Sequence, residues 1–172
     1  MKEIIGILDE MLRDKVIDDY VIGGATALVY YSEPTFTEDI DVFILLEQRR
    51  SSPLIDLSGV YKYLTSKRNA RVEGQYVFLA DFPVQFLVPY DELSRDAFAN
   101  AVRVHFKGMS VKIFELEYLM AIMIQLGKEK YRERLRRVLV EKKYDDDRLA
   151  AILEKYKLLP KWKSLQESLG GS

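Results

Sequence analysis

Residues 20–32 read Tyr20-Val21-Ile22-Gly23-Gly24-Ala25-Thr26-Ala27-Leu28-Val29-Tyr30-Tyr31-Ser32, and residues 37–45 read Thr37-Glu38-Asp39-Ile40-Asp41-Val42-Phe43-Ile44-Leu45. The first stretch predicts an apolar strand, a Gly-Gly turn and a short helix from Ala25 to Tyr31, because a branched apolar run meets two glycines and then small apolar residues. Ser32-Glu33-Pro34-Thr35 ends that helix, since proline disfavours helical geometry in the residue before it. A second strand follows over Asp39 to Leu45, and its alternation sets Asp39 and Asp41 on one face.

Two like charges at alternate strand positions lie within ~7 Å of each other, which is unfavourable unless a cation or basic group neutralises them. Mg²⁺ suits such a pair, because it takes oxygen ligands, often one or two carboxylates plus substrate phosphates. The Gly-Gly turn offers the complementary half: glycines permit close backbone approach, and the following helix N-terminus presents unpaired N–H groups to an anion. Taken singly, a D-x-D is more often a solvated strand edge and a Gly-Gly pair more often a plain tight turn.

Working outward, Ile4, Ile5, Leu8, Met11 and Leu12 recur at helical spacing and predict a helix over 2–13. Downstream, Leu54 to Leu64 reads as a helix, Gln75 to Ala80 and Val84 to Leu87 as strands joined by an Asp81-Phe82-Pro83 turn, and Ser94 to Ala101 as a helix. Val102 to Phe106 and Ser110 to Phe114 form a hairpin around Gly108. From Glu115 onward the pattern is helical, with segments 116–126, 128–142, 147–156 and 160–169; the first is apolar nearly all round, as a buried helix is. The fold class is therefore α/β (α+β), a mixed sheet flanked by helices, with residues 1–114 as the sheet domain and 115–172 as a helical C-terminal extension packed on it.

Composition bounds the function. The chain has 172 residues, 48% hydrophobic and 31% charged, in the ordinary globular range. With no Cys and a single His, disulfides, Cys/His zinc clusters and thiol nucleophiles are excluded. A formal net charge of −1 leaves only local basic surfaces for polyanions. No apolar run approaches the ~20 residues of a membrane span, and the acidic start Met1-Lys2-Glu3 does not resemble a secretion signal; the expected location is the cytoplasm. His105 reads as a structural strand residue. Tyr61, Tyr63, Tyr76 and Tyr118 read as packing residues at or near the core.

Together, Val21-Ile22-Gly23-Gly24-Ala25-Thr26-Ala27-Leu28 and Thr37-Glu38-Asp39-Ile40-Asp41-Val42 resemble the signature of the nucleotidyltransferase superfamily: strand, Gly-Gly or Gly-Ser turn, helix, then an Asp-apolar-Asp strand. The Thr-x-Asp-Ile-Asp-Val sequence is similar, more narrowly, to the minimal nucleotidyltransferases and the AbiEii-type toxin group. The resemblance implies that Asp39 and Asp41 hold Mg²⁺ (or Mn²⁺) against a nucleoside triphosphate, that Gly23 and Gly24 bind its phosphates, and that Thr37 touches a phosphate or metal-bound water. An acceptor hydroxyl would attack the α-phosphorus and release pyrophosphate. RNA, a protein or a small molecule is the acceptor class it implies, with an antitoxin as a partner in a toxin–antitoxin or defence setting.

Two positions depart from the family pattern. The third carboxylate of the family falls at Gln85, whose amide can ligate a cation but brings no charge and takes no proton. Thr35 stands where many relatives have Arg. Lys128, Arg132 and Arg136 recur every fourth residue and are expected to share a helix face, with Lys128 and Arg132 toward the triphosphate or an RNA. Gly24 is expected on the lip of the cleft opposite the aspartates.

Overall fold

A computed structural model describes residues 1–32, 39–46, 56–106 and 108–170. Eight helices and seven strands are present among them: α1 (Lys2–Arg13), β1 (Asp19–Ile22), α2 (Gly24–Tyr31), β2 (Ile40–Leu45), α3 (Ser58–Arg68), β3 (Arg71–Glu73), β4 (Tyr76–Leu79), β5 (Phe82–Leu87), α4 (Glu92–Ala99), β6 (Val102–Phe106), β7 (Met109–Ile113), α5 (Leu116–Leu126), α6 (Glu129–Glu141), α7 (Asp146–Lys155) and α8 (Leu159–Gly170). The strands form one mixed sheet in the order β3-β4-β5-β2-β1-β7-β6, with β2–β5 and β1–β7 parallel and the other pairs antiparallel. The chain thus has a mixed α/β fold.

Strand alternation decides what each face of the sheet carries. On one face Ile40, Val42, Ile44, Val77, Leu79, Val84 and Phe86 are buried, in a core shared with the apolar residues of α1 and α3. Those helices are tied to each other and to the sheet: Tyr20 donates to Asp9, Tyr63 donates to Asp14, and Arg68 pairs with Glu10. On the other face Asp41, Gln85 and Tyr76 stand side by side across β2, β5 and β4.

The β4–β5 hairpin is tighter than the sequence suggests. Leu79 pairs with Phe82, and Ala80 and Asp81 both take positive φ, 49° and 63°, as a two-residue I′-type loop requires. Phe82 and Pro83 therefore belong to β5 rather than to the turn. Pro83 is tolerated because the β2 ladder begins one residue later, at Val84, so its missing N–H removes no bond from that ladder. Strand β3, wholly exposed, has no buried face and so left no alternation to read.

Helix α5 is the centre of the helical half, packed by α2, α4, α6, α7 and α8, which is why its sequence is apolar nearly all round. Its one acidic interior residue, Glu117, is 7% exposed and accepts a hydrogen bond from the Asp145 N–H at 2.7 Å, where Asp145 caps α7. Removing the buried side chain loses this charge-assisted bond and leaves a void in the helical core. Glu117→Ala should therefore lower stability by roughly 2–3 kcal/mol, about 5–10 °C of melting temperature for a chain of this size, whereas Glu117→Gln, which keeps an acceptor, should lose less. Thermal denaturation followed by circular dichroism checks both.

Candidate active site

Chain geometry at the Gly-Gly turn places the first aspartate strand. The N–H of Gly23 donates to the carbonyl of Asp41 at 2.9 Å, extending the β1–β2 pairing that sets Ile22 opposite Val42. Gly23 is the N-cap of α2 and Gly24 its first residue, at φ +55°, a left-handed conformation that favours glycine.

Both glycines are needed for packing. A Cβ on Gly24 would lie 1.8 Å from Oδ2 of Asp41, and one on Gly23 would lie 2.6 Å from the Phe43 ring. Asp41 is thus seated directly on the turn. Gly24 is beside it and not on an opposite lip. Gly23, expected at the phosphates, is buried against Phe43 and Phe114, its N–H is committed to the Asp41 carbonyl, and it does not line the cleft. Gly24 does line it. Helix α2 has no side-chain cap, and the N–H groups of Gly24 and Ala25 have no intrahelical acceptor.

The cleft is a cavity of about 310 Å³. Its sheet wall carries Asp39, Asp41, Phe43, Gln85 and Tyr76, and its helical wall carries Leu119, Ile122 and Met123 of α5 with Lys128, Lys130, Tyr131 and Arg134. Asp39 stands just before β2, with its backbone carbonyl accepting from the Thr26 hydroxyl at 3.3 Å. Tyr76, expected to pack in the core or at its rim, lines the cleft and donates its hydroxyl to Asp39 at 3.3 Å. Gln85 is the register partner of Asp41, so an amide occupies the neighbouring-strand position. Asp81 lies in the hairpin turn and lines no part of the cleft. His105 is exposed on the outer strand β6. Thr37 and Thr35 lie outside the described residues.

The basic side of the cleft differs from expectation. Lys128 lines it, but Arg132 does not; Arg132 pairs with Glu129 at 3.2 Å and, like Arg136, is on the other flank of α6. The reason is the helix's apolar seam. Leu135 and Val138 are buried and Tyr131 half-buried, and at 100° per residue Lys130 and Arg134 fall on one side of that seam, Arg132 and Arg136 on the other. The four-residue recurrence of cations was legible; reading it against the apolar seam would have selected Lys130 and Arg134.

Electrostatics follow from this layout. Burial, and then the adjacent Asp39 charge, push the Asp41 carboxyl up to about 6, against the pull of Lys130, Arg134 and Lys128. Burial, and then Asp41, push the Tyr131 phenol upward. Among the described residues no three His, Cys, Asp or Glu side chains converge as a metal site. The chain itself offers two carboxylates and leaves further positions to substrate oxygens, a donor set that fits Mg²⁺.

No protein-family model matches the sequence, and no curated protein matches it. Among solved structures, an antigenic nucleotidyltransferase-like protein from Paracoccidioides brasiliensis is similar over 98% of this chain and 91% of that one, at 20% identity and a TM-score of 0.54. A candidate nucleotidyltransferase from Thermotoga maritima is 18% identical, with a TM-score of 0.42 over 79% of this chain and 94% of that one. The likeness to the Paracoccidioides protein is one of fold: the chain has a nucleotidyltransferase-like fold.

Two outcomes follow for the protein kept free of metal by a chelator. Gly24→Ala should destabilise by roughly 2–4 kcal/mol, from the disfavoured φ and the collision with Asp41, and much less in an Asp41→Ala background; a double-mutant cycle by urea unfolding measures it. Because the folded pKa of Asp41 is above its unfolded value, the folded state binds the extra proton, and stability falls as pH rises from about 4 through 6. Asp41→Asn should remove that fall and raise stability at pH 7.5 by roughly 1–2 kcal/mol, read as melting temperature against pH.

Proposed function

We propose that the chain is a Mg²⁺-dependent nucleotidyltransferase, moving a nucleotide from a nucleoside triphosphate to an acceptor hydroxyl. The observation that carries this reading is a cleft with a paired carboxylate on one wall and Lys128, Lys130 and Arg134 on the other, with Gly24 seated against Asp41. Such a cleft complements a metal-bound triphosphate: the carboxylates repel phosphate and attract cations, and the basic wall does the reverse.

Asp39 and Asp41 would hold the metal, Mg²⁺ or Mn²⁺, which when bound neutralises phosphate charge and draws the acceptor oxygen and the α-phosphorus together. Tyr76 orients Asp39 through its hydroxyl. Lys130 and Arg134, with Lys128, take up the charge that accumulates on departing pyrophosphate, and the α2 N-terminus beside Gly24 gives a second anion contact. The new bond joins the acceptor oxygen to the α-phosphorus as the bond to pyrophosphate breaks. The acceptor's proton passes to water, since Gln85 takes none. A toxin–antitoxin setting is the biological context implied by the sequence resemblance.

Isothermal titration with Mg-triphosphates tests the reading. Asp39→Asn and Asp41→Asn should each weaken binding about tenfold or more, and Lys130→Ala with Arg134→Ala by a similar factor. Unchanged affinity in all of these variants would sink it.

Gln85, in register with Asp41, favours a second reading: a pocket that binds triphosphate without turnover. Transfer of radiolabelled nucleotide to cell extract separates the two. Gln85→Asp should raise transfer from a low baseline if the pocket is degenerate, and should bring no gain if the native site works with an amide.

A further inference from the structure

A second cavity, of about 450 Å³, lies between α5, α6 and α8. It shares Met123, Lys128 and Tyr131 with the candidate active site, so the two hollows meet across those three side chains. Its floor is apolar, from Ile124, Leu135 and Leu165. Its rim carries Arg132 and Lys161 besides Lys128, with the hydroxyls of Ser164 and Ser168. Among the described residues no carboxylate lines it, although the chain as a whole has 27 acidic and 26 basic residues. Arg132 is held at this rim by Glu129, and Lys161 by donation to the Gln125 carbonyl at 2.9 Å; the Glu129 side chain is 84% exposed, so this pair is a weak one that a phosphate can replace.

We infer that this groove is the acceptor site, and that the acceptor is the end of a single-stranded nucleic acid. The assignment rests on the nucleotidyltransferase reading, which requires an acceptor hydroxyl to approach the triphosphate from a neighbouring surface. Three cations, one of them paired with an exposed glutamate outside the groove lining, complement a phosphodiester chain. Tyr131 and the apolar floor complement the faces of unpaired bases, which stack on aromatic and apolar side chains without regard to sequence. The Ser164 hydroxyl adds a donor to sugar or phosphate oxygens, while that of Ser168 donates to the Leu165 carbonyl at 2.7 Å and offers only its oxygen. A peptide backbone carries no charge and gains nothing from the cationic rim. The placement also accounts for Arg132, which α6 turns away from the triphosphate cleft and toward this one.

The test uses the full chain, a fluorescein-labelled single-stranded oligoribonucleotide, and a salt series. Arg132→Ala with Lys161→Ala should weaken oligonucleotide binding about 5- to 30-fold and reduce the slope of log affinity against log salt by about 1.4, two lost phosphate contacts at ~0.7 each. Ser164→Glu removes no native contact and sets a negative charge in the groove; it should weaken binding by a similar factor. Mg-triphosphate affinity, measured by calorimetry on the same proteins, should not change. Oligonucleotide affinity and salt slope unchanged in both variants would overturn the groove assignment, as would a wild type that binds triphosphate but no oligonucleotide. A wild type that binds oligonucleotide through the groove and no triphosphate would instead overturn the transferase reading, and with it the acceptor role.

Discussion

The seating of Asp41 on Gly24 is the contact from which the rest of the candidate site is built. It needs a residue without a Cβ at φ +55°, and it needs β1 and β2 paired so that the Gly23 N–H reaches the Asp41 carbonyl. Phe43, two residues on, then covers Gly23 and packs against Phe114, with ring centroids 4.6 Å apart, which ties the turn to the end of β7. One steric requirement thereby couples the strand that bears the acids, the helix whose N-terminus faces them and the chain leading into α5. The glycines are needed for the packing of protein against protein, and only Gly24 also faces the cleft.

Charge is separated across that cleft at some energetic cost. Burial and a neighbouring like charge oppose ionisation of Asp41, a situation that folded proteins seldom keep without a counterion. The three cations of the facing wall relieve part of it from a distance, and a divalent cation between the acids would relieve it directly. Gln85 limits the accumulated charge: an acid in register with Asp41 would add a third negative group to the same face. The amide brings an oxygen to that face without adding charge.

Helix α5 carries this arrangement from sheet to helices. Leu119, Ile122 and Met123 close the cleft, while Met123 and Ile124 also form part of the neighbouring groove, so neither hollow can be reshaped without the other. Burial of Glu117 against the α7 N-cap holds that helix in place, and the αL conformation of Gly127 at the C-cap turns the chain so that Lys128 emerges where the two hollows meet.

Much of the fold was legible because it is local. Periodicity placed α1, β1, α2, β2 and α5 to within a residue or two of their observed bounds, and the order of strand, Gly-Gly turn, helix and Asp-Ile-Asp pointed to the fold class. The pairing of Gln85 with the Asp41 strand was also within reach, since a short apolar run with one polar residue is readable as a strand. What the chain order could not convey was orientation. Tyr76 reaches Asp39 because β4 and β5 pair through a two-residue turn that sets Tyr76 opposite Gln85. Lys130 and Arg134 face the acids because Leu135 and Val138 are buried on α6, and the direction in which a helix turns its seam is chosen by what it packs on. The sequence by itself determined which groups are available, through residue type and local spacing; the tertiary structure decided which of them meet, because convergence depends on strand register and helix rotation set by contacts far apart in the chain.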